Sequence, residues 1–336
     1  MPPSTLAPSA PHAATLLDQA LAPVQEELHA VATRLLSELT DPVTRRVVYL
    51  ITAGGKRLRP ALVLLAGRCG PAPERGALIE AATAVELIHT ATLIHDDIID
   101  QAPLRRARPS FHQRWGTERA VLMGDYLHAT AFTLLARLQA PSVMQAIADV
   151  CRQLCRGELR EVEARFRLDL TEEEYLAIVH DKTASLIGGC CRSGALLGGC
   201  APGTVEQLTA FGVNFGTAFQ IIDDCLDLAG DQQELGKLVL TDLDKGTLSL
   251  PIIYLTQALS PAARDRLFAP LKDRNVDPQF LVRVAAEARA AGAIDRARQR
   301  ARRMIQAGLD ALAGTPMNGL FDLYRQLADY AIARRS

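Results

Sequence analysis

The chain has 336 residues, of which 49% are hydrophobic and only 5% are aromatic, and its 37 lysines and arginines nearly balance its 38 acidic residues. A chain of this length can bury a sizeable core, in one large domain or two. The net charge of −1 argues against nucleic acid as a partner and against a strongly charged tail.

Cysteine usage and hydropathy indicate the compartment. Seven cysteines occur without a Cys-x-x-Cys pair, which is typical of reduced cysteines in a cytosolic protein. No apolar run approaches 18 residues, and the N-terminus lacks the basic start and apolar core of a signal peptide. We therefore expect a cytoplasmic protein with no transmembrane segment.

The N-terminal region predicts a tail followed by helices. Residues 1–13 are rich in Pro, Ser and Ala, so we expect a disordered tail and then a single domain over 14–336. Leucine and valine at helical spacing predict a helix from about 15 to 39. Asp41-Pro42 is typical of the start of the next helix.

A basic loop follows in Gly54–Pro60, where two glycines free the backbone and three cations lie within four residues. The next helix is expected to begin at about Pro60. A long helix without aromatic residues is then predicted over 74–100.

An acidic cluster lies at the end of that long helix. Asp96 and Asp100 lie on one face, one turn apart, and Asp97 lies about 100° round from Asp96. The same spacing returns in a second apolar segment as Asp223, Asp224 and Asp227. Acidic side chains flanked by isoleucine are costly to bury unless a positively charged group pairs with them.

The remaining chain predicts helices separated by polar loops. The segment 101–116, which carries Arg105 and Arg106, is expected to be a loop. Further helices are expected over 117–139, 142–166, 171–198, 202–229, 248–259, 261–270, 278–291, 293–313 and 317–334. Without strand alternation or a fixed-period repeat, the fold class is all-α, a single large helical bundle.

Two acidic clusters of identical spacing indicate a metal site rather than helix caps or a surface patch. Mg²⁺ prefers oxygen ligands and typically takes one or two carboxylates together with phosphate oxygens and water. The cations of Gly54–Pro60 and of Arg105-Arg106 are suited to bind phosphate. The residues therefore predict Mg²⁺ held against a diphosphate.

The order of these motifs resembles that of the trans-isoprenyl (polyprenyl) diphosphate synthase family over roughly residues 40–335. The matching segments are Gly54–Pro60, Asp96–Asp100 with Arg105-Arg106, Gly124-Asp125-Tyr126, Lys182-Thr183 and Phe219–Asp224. The resemblance implies the isoprenoid synthase fold, with an active-site cavity between central helices. It also implies a transferase that joins isopentenyl diphosphate to an allylic prenyl diphosphate, a homodimer, and transient membrane contact for product release.

The resemblance further implies residue roles. Three Mg²⁺ ions would be held by Asp96, Asp100, Asp223, Asp224 and Asp227. Isopentenyl diphosphate would be bound by Lys56, Arg59, His89 and Arg106. The allylic diphosphate would be bound by Arg105, Lys182 and Lys237, with Thr183 and Gln220 near the forming carbocation and Lys182, Thr183 and Gln220 as the catalytic set. The chain departs from the family at Leu238 and Thr247, where a proline and a lysine are common, and Lys245 is a candidate substitute for that lysine.

Product length is predicted from the helix that precedes the first cluster. The positions one and two turns before the acids are Ala91, Thr92 and Ile88, and short-chain relatives have an aromatic residue at the first or second of these. No aromatic occurs between Gly76 and Asp100. We therefore expect a product longer than twenty carbons, with Phe132 as a candidate floor of the pocket.

Other readings remain open at this point. A short-chain farnesyl or geranylgeranyl diphosphate synthase is the main alternative. A terpene cyclase normally carries one such Asp motif and a different second metal motif. A di-iron bundle could use the Glu-x-x-His spacings at Glu86–His89 and Glu26–His29, but it would leave both Asp clusters unexplained.

Overall fold

The computed structural model describes residues 13–52, 55–229 and 241–334. The N-terminal half contains α1 (Ala13–Leu21), α2 (Gln25–Ser37), α3 (Val48–Ile51), α4 (Leu58–Arg68), α5 (Arg75–Ile99), α6 (Phe111–Trp115), α7 (Thr117–Arg137) and α8 (Pro141–Ala164). The C-terminal half contains α9 (Glu172–Val179), α10 (Ser185–Leu197), α11 (Pro202–Ala229), α12 (Thr241–Asp244), α13 (Leu250–Ala258), α14 (Pro261–Leu267), α15 (Ala269–Lys272), α16 (Pro278–Ala290), α17 (Ala293–Leu312) and α18 (Phe321–Ala333). The all-α bundle is confirmed.

The helices that carry the two acidic clusters lie at the centre of the bundle. Helix α5 packs against α4 and α7, and α11 packs against α10 and α17. Helices α5 and α7 are antiparallel, because His95 near the end of α5 meets Val121 near the start of α7, whereas Glu80 lies 3.9 Å from Arg137. Gly124 lets these helices approach, since a Cβ there would lie 2.1 Å from His95 Nε2.

Helix α5 is long and apolar enough to span a membrane, and 67% of its most apolar window is buried inside the protein. Burial of this kind is typical of the central helix of a folded domain. Glu74 begins the helix by accepting hydrogen bonds from the backbone N–H groups of Gly76 and Ala77, 2.9 and 2.5 Å away.

Several predicted boundaries need correction. The helix expected over 15–39 is interrupted by a 3₁₀ turn at Ala22–Val24, because Pro23 lacks the N–H that a continuous helix needs. Asp41 accepts a hydrogen bond from the Val43 N–H, so it closes a turn before a 3₁₀ segment at Thr44–Val47 rather than capping an α-helix. The tail predicted over 1–13 lies outside the described residues, except for Ala13, which begins α1.

The segment predicted as a loop over 101–116 contains more structure than expected. Strands Leu104–Arg105 and Arg108–Pro109, of two residues each, pair as an antiparallel hairpin, and α6 follows them. The two residues at its tip, Arg106 and Ala107, are left-handed, with φ of 51° and 59°. The tight hairpin was missed because such turns normally carry Gly or Asn at these positions.

The helix predicted over 171–198 contains a π-helical turn at His180–Ala184 between α9 and α10. Gly157 of α8 lies directly against this turn, since a Cβ there would lie 2.5 Å from the backbone nitrogen of Lys182. π-turns insert one extra residue and occur frequently at functional sites. Periodicity alone could not reveal this turn, which presents Lys182 and Thr183 towards the centre of the bundle.

Glycines bring α10 close to its neighbours. A Cβ on Gly188 would lie 2.6 Å from Val213 of α11, and one on Gly194 would lie 2.1 Å from the carbonyl oxygen of Val63 in α4. Contacts this short are closed to any larger residue unless the backbone moves. These glycines therefore fix the depth at which α10 sits between α4 and α11.

Candidate active site

A cavity of about 270 Å³ lies between the central helices, beside both acidic clusters. Its acidic lining residues are Asp96 and Asp100 of α5, Glu161 of α8, Asp224 of α11 and Asp242 of α12. Its other polar lining residues include Arg105, Lys182, Thr183, Gln220, Lys245 and Thr247. The fold thus brings carboxylates from both Asp motifs, separated by more than a hundred residues in sequence, to one cavity.

The first cluster divides into two acids that face the cavity and one that does not. Burial raises the pKa of Asp96 to about 8, and the neighbouring Glu158 carboxylate adds to this shift. Asp100 accepts a hydrogen bond from Arg165 at 2.8 Å. Asp97 is only 1% exposed and accepts two hydrogen bonds from Arg105, at 3.0 and 2.5 Å. Asp97 therefore positions Arg105, whereas Asp96 and Asp100 are presented to the cavity.

The second cluster is also divided. Asp224 is buried and accepts hydrogen bonds from the Tyr175 hydroxyl at 2.6 Å and the Gln220 amide at 2.9 Å. Burial raises the pKa of Asp224 to about 8. The Gln220 amide oxygen in turn accepts a hydrogen bond from Thr183 at 3.1 Å. These bonds orient Thr183 and Gln220 as a unit at the cavity wall.

Asp223 has a different environment from Asp224. It lies on another side of α11, where Arg334 at the end of α18 binds it at 2.5 Å. Asp227 lies one turn further along the same helix. The predicted metal residues of the second cluster therefore lie on two sides of α11, and of these three only Asp224 lines the cavity described above.

Two glutamates that sequence reasoning missed hold Lys182. The Lys182 ammonium lies 3.0 Å from Glu158 Oε1, and Glu161 is its second partner at very short range. Burial opposes the charge of Lys182, but Glu161 and Glu158 outweigh it and raise the pKa of the lysine. The available signal was the three-residue spacing of the glutamates directly after Gly157, which places them one turn apart on the face that meets the π-turn.

Three of the four residues assigned to isopentenyl diphosphate, Arg59, His89 and Arg106, also come together. Arg59 Nη1 lies 3.3 Å from His89 Nε2. A guanidinium can only donate, so this nitrogen of His89 is the acceptor and the ring is neutral. Burial and the nearby Arg59 and Arg106 cations lower the pKa of His89 well below its usual value, which agrees with that assignment. Arg106 lies against the backbone of Gly55, where a Cβ would be 3.0 Å from the guanidinium.

Lys56 and Arg57 diverge although they are neighbours. The Lys56 ammonium lies 5.4 Å from the centre of the Tyr330 ring, on the Asp223 side. Arg57 donates to Glu86 at 2.7 Å and to the Ile51 carbonyl at 3.0 Å. Arg57 therefore ties the basic loop to α5, and Lys56 stays available for a ligand.

Some predicted residues are not part of this arrangement. Lys237 lies outside the described residues. Ala91 and Ile88 are fully buried, and the cavity lining does not include them, Thr92 or Phe132. Phe132 lies between Gly124 and Arg137 along α7, so the antiparallel pairing of α7 with α5 places it near the level of Ile88.

The donor chemistry fits a hard divalent cation. The groups available from both clusters are carboxylate oxygens, which Mg²⁺ prefers. Among the described residues, no three His, Cys, Asp or Glu side chains are gathered closely enough to hold a metal ion by themselves. The carboxylates are instead paired with Arg165, Lys245 and Arg334, so a metal ion at either cluster would need further oxygen ligands from outside these side chains.

Comparison with known proteins identifies the family. The sequence profile named Polyprenyl synthetase matches residues 41–287. The chain belongs to the polyprenyl synthetase family. It is a transferase of the prenyl diphosphate synthase type, as the resemblance implied, and its substrates are isoprenoid diphosphates.

Individual relatives match most of the chain. The heptaprenyl diphosphate synthase component 2 of Geobacillus stearothermophilus is 37% identical over 317 residues, which is 94% of this chain and 96% of the relative. A short chain isoprenyl diphosphate synthase of Methanothermobacter thermautotrophicus is 39% identical over 242 residues, or 70% of this chain and 74% of the relative. The solved polyprenyl synthase of Caulobacter crescentus CB15, complexed with calcium and isoprenyl diphosphate, has a TM-score of 0.90 and 31% identity, and the match covers 95% of this chain and 98% of that one.

Membership of this family argues against the alternative of a di-iron helical bundle. The structure agrees, because Glu86 is bound by Arg57 at 2.7 Å and Glu26 is bound by Arg75 at 2.9 Å. These glutamates therefore have cationic partners in place of a metal.

The neutral state of His89 predicts a pH dependence of stability. Unfolded histidine takes up a proton below about pH 6.5, whereas folded His89, with its lowered pKa, does not. The unfolded state is therefore favoured as the pH falls through 6.5. We expect the wild-type chain to lose more free energy of unfolding between about pH 7.5 and pH 5.5 than His89→Gln, measured by urea denaturation.

His29 supplies the control, because it is exposed on α2. His29→Gln should keep the pH dependence of the wild-type chain. An identical pH dependence in His89→Gln and the wild type would contradict the assignment of a neutral, buried acceptor.

Proposed function

We propose that the chain joins isopentenyl diphosphate to an allylic prenyl diphosphate at the cavity between α5 and α11. The observation that carries this proposal is the meeting of Asp96 and Asp100 with Asp224 at one cavity, beside a cluster of cations around His89. An acidic wall next to a basic one suits two diphosphates, one bound through metal and one bound directly.

Three Mg²⁺ ions would be held between the two acidic clusters, by Asp96 and Asp100 of α5 and by Asp223, Asp224 and Asp227 of α11. When bound, these ions would stabilise the charge on the departing diphosphate. Arg105, Lys182 and Lys245 lie around the same cavity and can bind the oxygens of the allylic diphosphate. Lys245 lies 3.3 Å from Asp100, which supports it as the substitute for the lysine that the family often has at position 247.

The isopentenyl diphosphate would bind to Lys56, Arg59 and Arg106. Arg59 Nε is buried without a hydrogen-bond partner in the described structure, as expected of a donor that awaits an anion. Neutral His89 orients the guanidinium without competing for the negative charge. We assign Lys237 to the allylic side from the resemblance alone.

The reaction breaks the bond between C1 of the allylic substrate and its diphosphate oxygen, which keeps the electron pair. The double bond of isopentenyl diphosphate then attacks C1, and the departing diphosphate takes the proton that is lost. The oxygens of Thr183 and Gln220 stabilise the allylic cation from the wall of the cavity. Ile178, Val179 and Leu170 line the same cavity and limit the access of water to the cation.

We propose a product longer than twenty carbons, of roughly thirty to fifty, that grows along α5 at about one isoprene unit per helical turn. The absence of aromatic residues from α5 supports this proposal, as does the long-chain relative that matches 94% of the chain. The short-chain relative keeps a product of fifteen or twenty carbons as the alternative. A terpene cyclase is disfavoured by the second Asp motif and by the basic cluster.

Loss of one carboxylate from either acidic cluster should abolish most activity. Asp96→Ala and Asp223→Ala should each lower turnover by at least about a hundredfold, or roughly 2.7 kcal/mol in the barrier, because each removes a ligand required for ionisation. Turnover is measured as incorporation of radiolabelled isopentenyl diphosphate with saturating Mg²⁺ and each short allylic primer. Asp265→Ala, at an exposed ion pair with Lys272, is the control and should keep wild-type turnover. Near-normal turnover in both site variants would reject the assignment of these acids, and no product from the wild-type chain would reject the proposed function.

Product length should respond to residues on α5 and α7. Ala91→Phe should shorten the main product to fifteen or twenty carbons, and Phe132→Ala should lengthen it or leave it unchanged, as judged by chromatography of the dephosphorylated products. Ala91 is fully buried, so Thr92→Phe, at a partly exposed position, provides a second variant that the core should tolerate more readily. If the unmodified enzyme stops at twenty carbons or fewer with excess isopentenyl diphosphate, another helix must set the length.

We also propose a homodimer that works in the cytoplasm and touches a membrane only when its product leaves. Exposed apolar side chains occur on α7 and α8, at Leu122 (66% exposed) and Leu159 (64%) and at Val121, Tyr126 and Val162. Apolar residues of this kind on adjacent helices are suited to pair with a second copy. The Geobacillus relative is named as one component of its enzyme, so a different partner chain is the alternative.

Charge placed in this apolar surface should dissociate the dimer. Leu159→Glu should halve the mass found by light scattering at micromolar concentration, because the interface would bury an unpaired acid. Val282→Glu, at an exposed valine on α16, is the control and should keep the wild-type mass. A wild-type chain that is monomeric at these concentrations would refute the dimer.

A further inference from the structure

Arg334, the residue that follows α18, is enclosed beside the second acidic cluster. Its side chain is only 8% exposed, and Nη2 lies 2.5 Å from Asp223 Oδ1. The guanidinium carbon also lies 4.0 Å from the centre of the Phe219 ring. Phe219 and Asp223 are one turn apart on α11, so ring and carboxylate together form a slot for the guanidinium.

Two further nitrogen atoms of Arg334 have no hydrogen-bond partner among the described residues. Nε and Nη1 are buried and lack a hydrogen-bond acceptor in the described part of the chain, as does the hydroxyl of Tyr330 one turn earlier on α18. Buried donors of a charged group are costly to leave unpaired. Unpaired guanidinium N–H groups are suited to donate to the oxygens of an oxyanion such as a phosphate.

The surroundings show where such an anion would lie. Lys56 lies close enough to Arg334 and Asp223 for their charges to affect its pKa. Burial is the main cause of the lowered pKa of Lys56, the Arg334 cation lowers it further, and the Asp223 carboxylate raises it. Arg59 also lies within the field of Asp223 and has its own unpaired Nε among the described residues. Three cations therefore lie around Asp223. Glu86 and Asp96 also act on Arg59, but Glu86 is itself paired with Arg57. The positive groups beside Asp223 are suited to bind an incoming anion.

We propose that Arg334 is a positioning residue that occupies Asp223 until a diphosphate draws it away, so that a divalent cation and the guanidinium compete for the same carboxylate. This proposal rests on the proposed function for the identity of the cation and the anion. A metal ion that reaches Asp223 must displace Nη2, and an anion beside Lys56 and Arg59 offers Arg334 the acceptors that it lacks. Binding of the anion thereby frees Asp223 for the metal, which couples the two events.

The test measures binding of Mn²⁺ alone and of inorganic pyrophosphate in EDTA to the full chain, by electron paramagnetic resonance and calorimetry respectively. Arg334→Gln should bind Mn²⁺ about tenfold more tightly, because the competitor is gone, and pyrophosphate about tenfold more weakly, because charge-assisted donors are lost. Arg334→Lys should keep the wild-type Mn²⁺ affinity but bind pyrophosphate more weakly, since a lysine lacks the planar fork.

Arg325→Gln is the matched control, because Arg325 lies on the same helix and pairs with Asp322 at the surface. It should leave both affinities unchanged. Damage to the fold would weaken both ligands together in Arg334→Gln, and that result would overturn the proposal, as would an unchanged affinity for either ligand. If the wild type forms prenyl product but Arg334→Gln gives such a result, only the role of Arg334 is rejected. If the two affinities of Arg334→Gln shift in opposite directions but the wild type forms no product, only the proposed reaction is rejected.

Discussion

The structure depends on burying carboxylates inside an apolar helical core. Asp97 is 1% exposed and Asp224 is 6% exposed, and no helix would keep them there without partners. Both have partners: Arg105 donates to Asp97, and Tyr175 and Gln220 donate to Asp224. The rest of the site follows, because the elements that carry these partners must lie where the acids are.

The same requirement explains why the active site draws on so many elements. Lys182 from the π-turn meets Glu158 and Glu161 of α8, and Lys245 reaches Asp100 from beyond α12. A buried charge pair contributes little net stability, since desolvation offsets most of its attraction. These ion pairs instead define the geometry of the site. They keep its carboxylates close together until a ligand replaces the lysine and arginine side chains that now pair with them.

The sequence was informative about the fold and the first acids because both depend on local spacing. The apolar period of α5 predicted its limits to within a residue, and Asp96 and Asp100 share a face as their spacing required. The resemblance added His89 and Arg106, which no local pattern could have linked to Arg59. The structure brings these residues together, whereas their roles in binding substrate stay predictions.

Long-range partners could not be predicted in this way. Arg334 lies more than a hundred residues from Asp223, and a basic residue near a C-terminus is an ordinary surface feature in sequence. The hairpin at Leu104–Pro109 was missed because Arg106 and Ala107 adopt left-handed conformations that local preferences disfavour. In each case the contact that stabilises the feature comes from a distant element, so it becomes visible only when the chain is folded.

The π-turn at His180–Ala184 has a consequence for how the gene could change. One extra residue rotates everything after it by about 100° relative to an uninterrupted α-helix. The residues before and within the turn face the cavity, and the glycines after it face α4 and α11. A one-codon deletion here would preserve helical character but turn Gly188 and Gly194 away from their neighbours and bring larger side chains against the Val63 carbonyl. The segment therefore tolerates substitution more readily than any change in length.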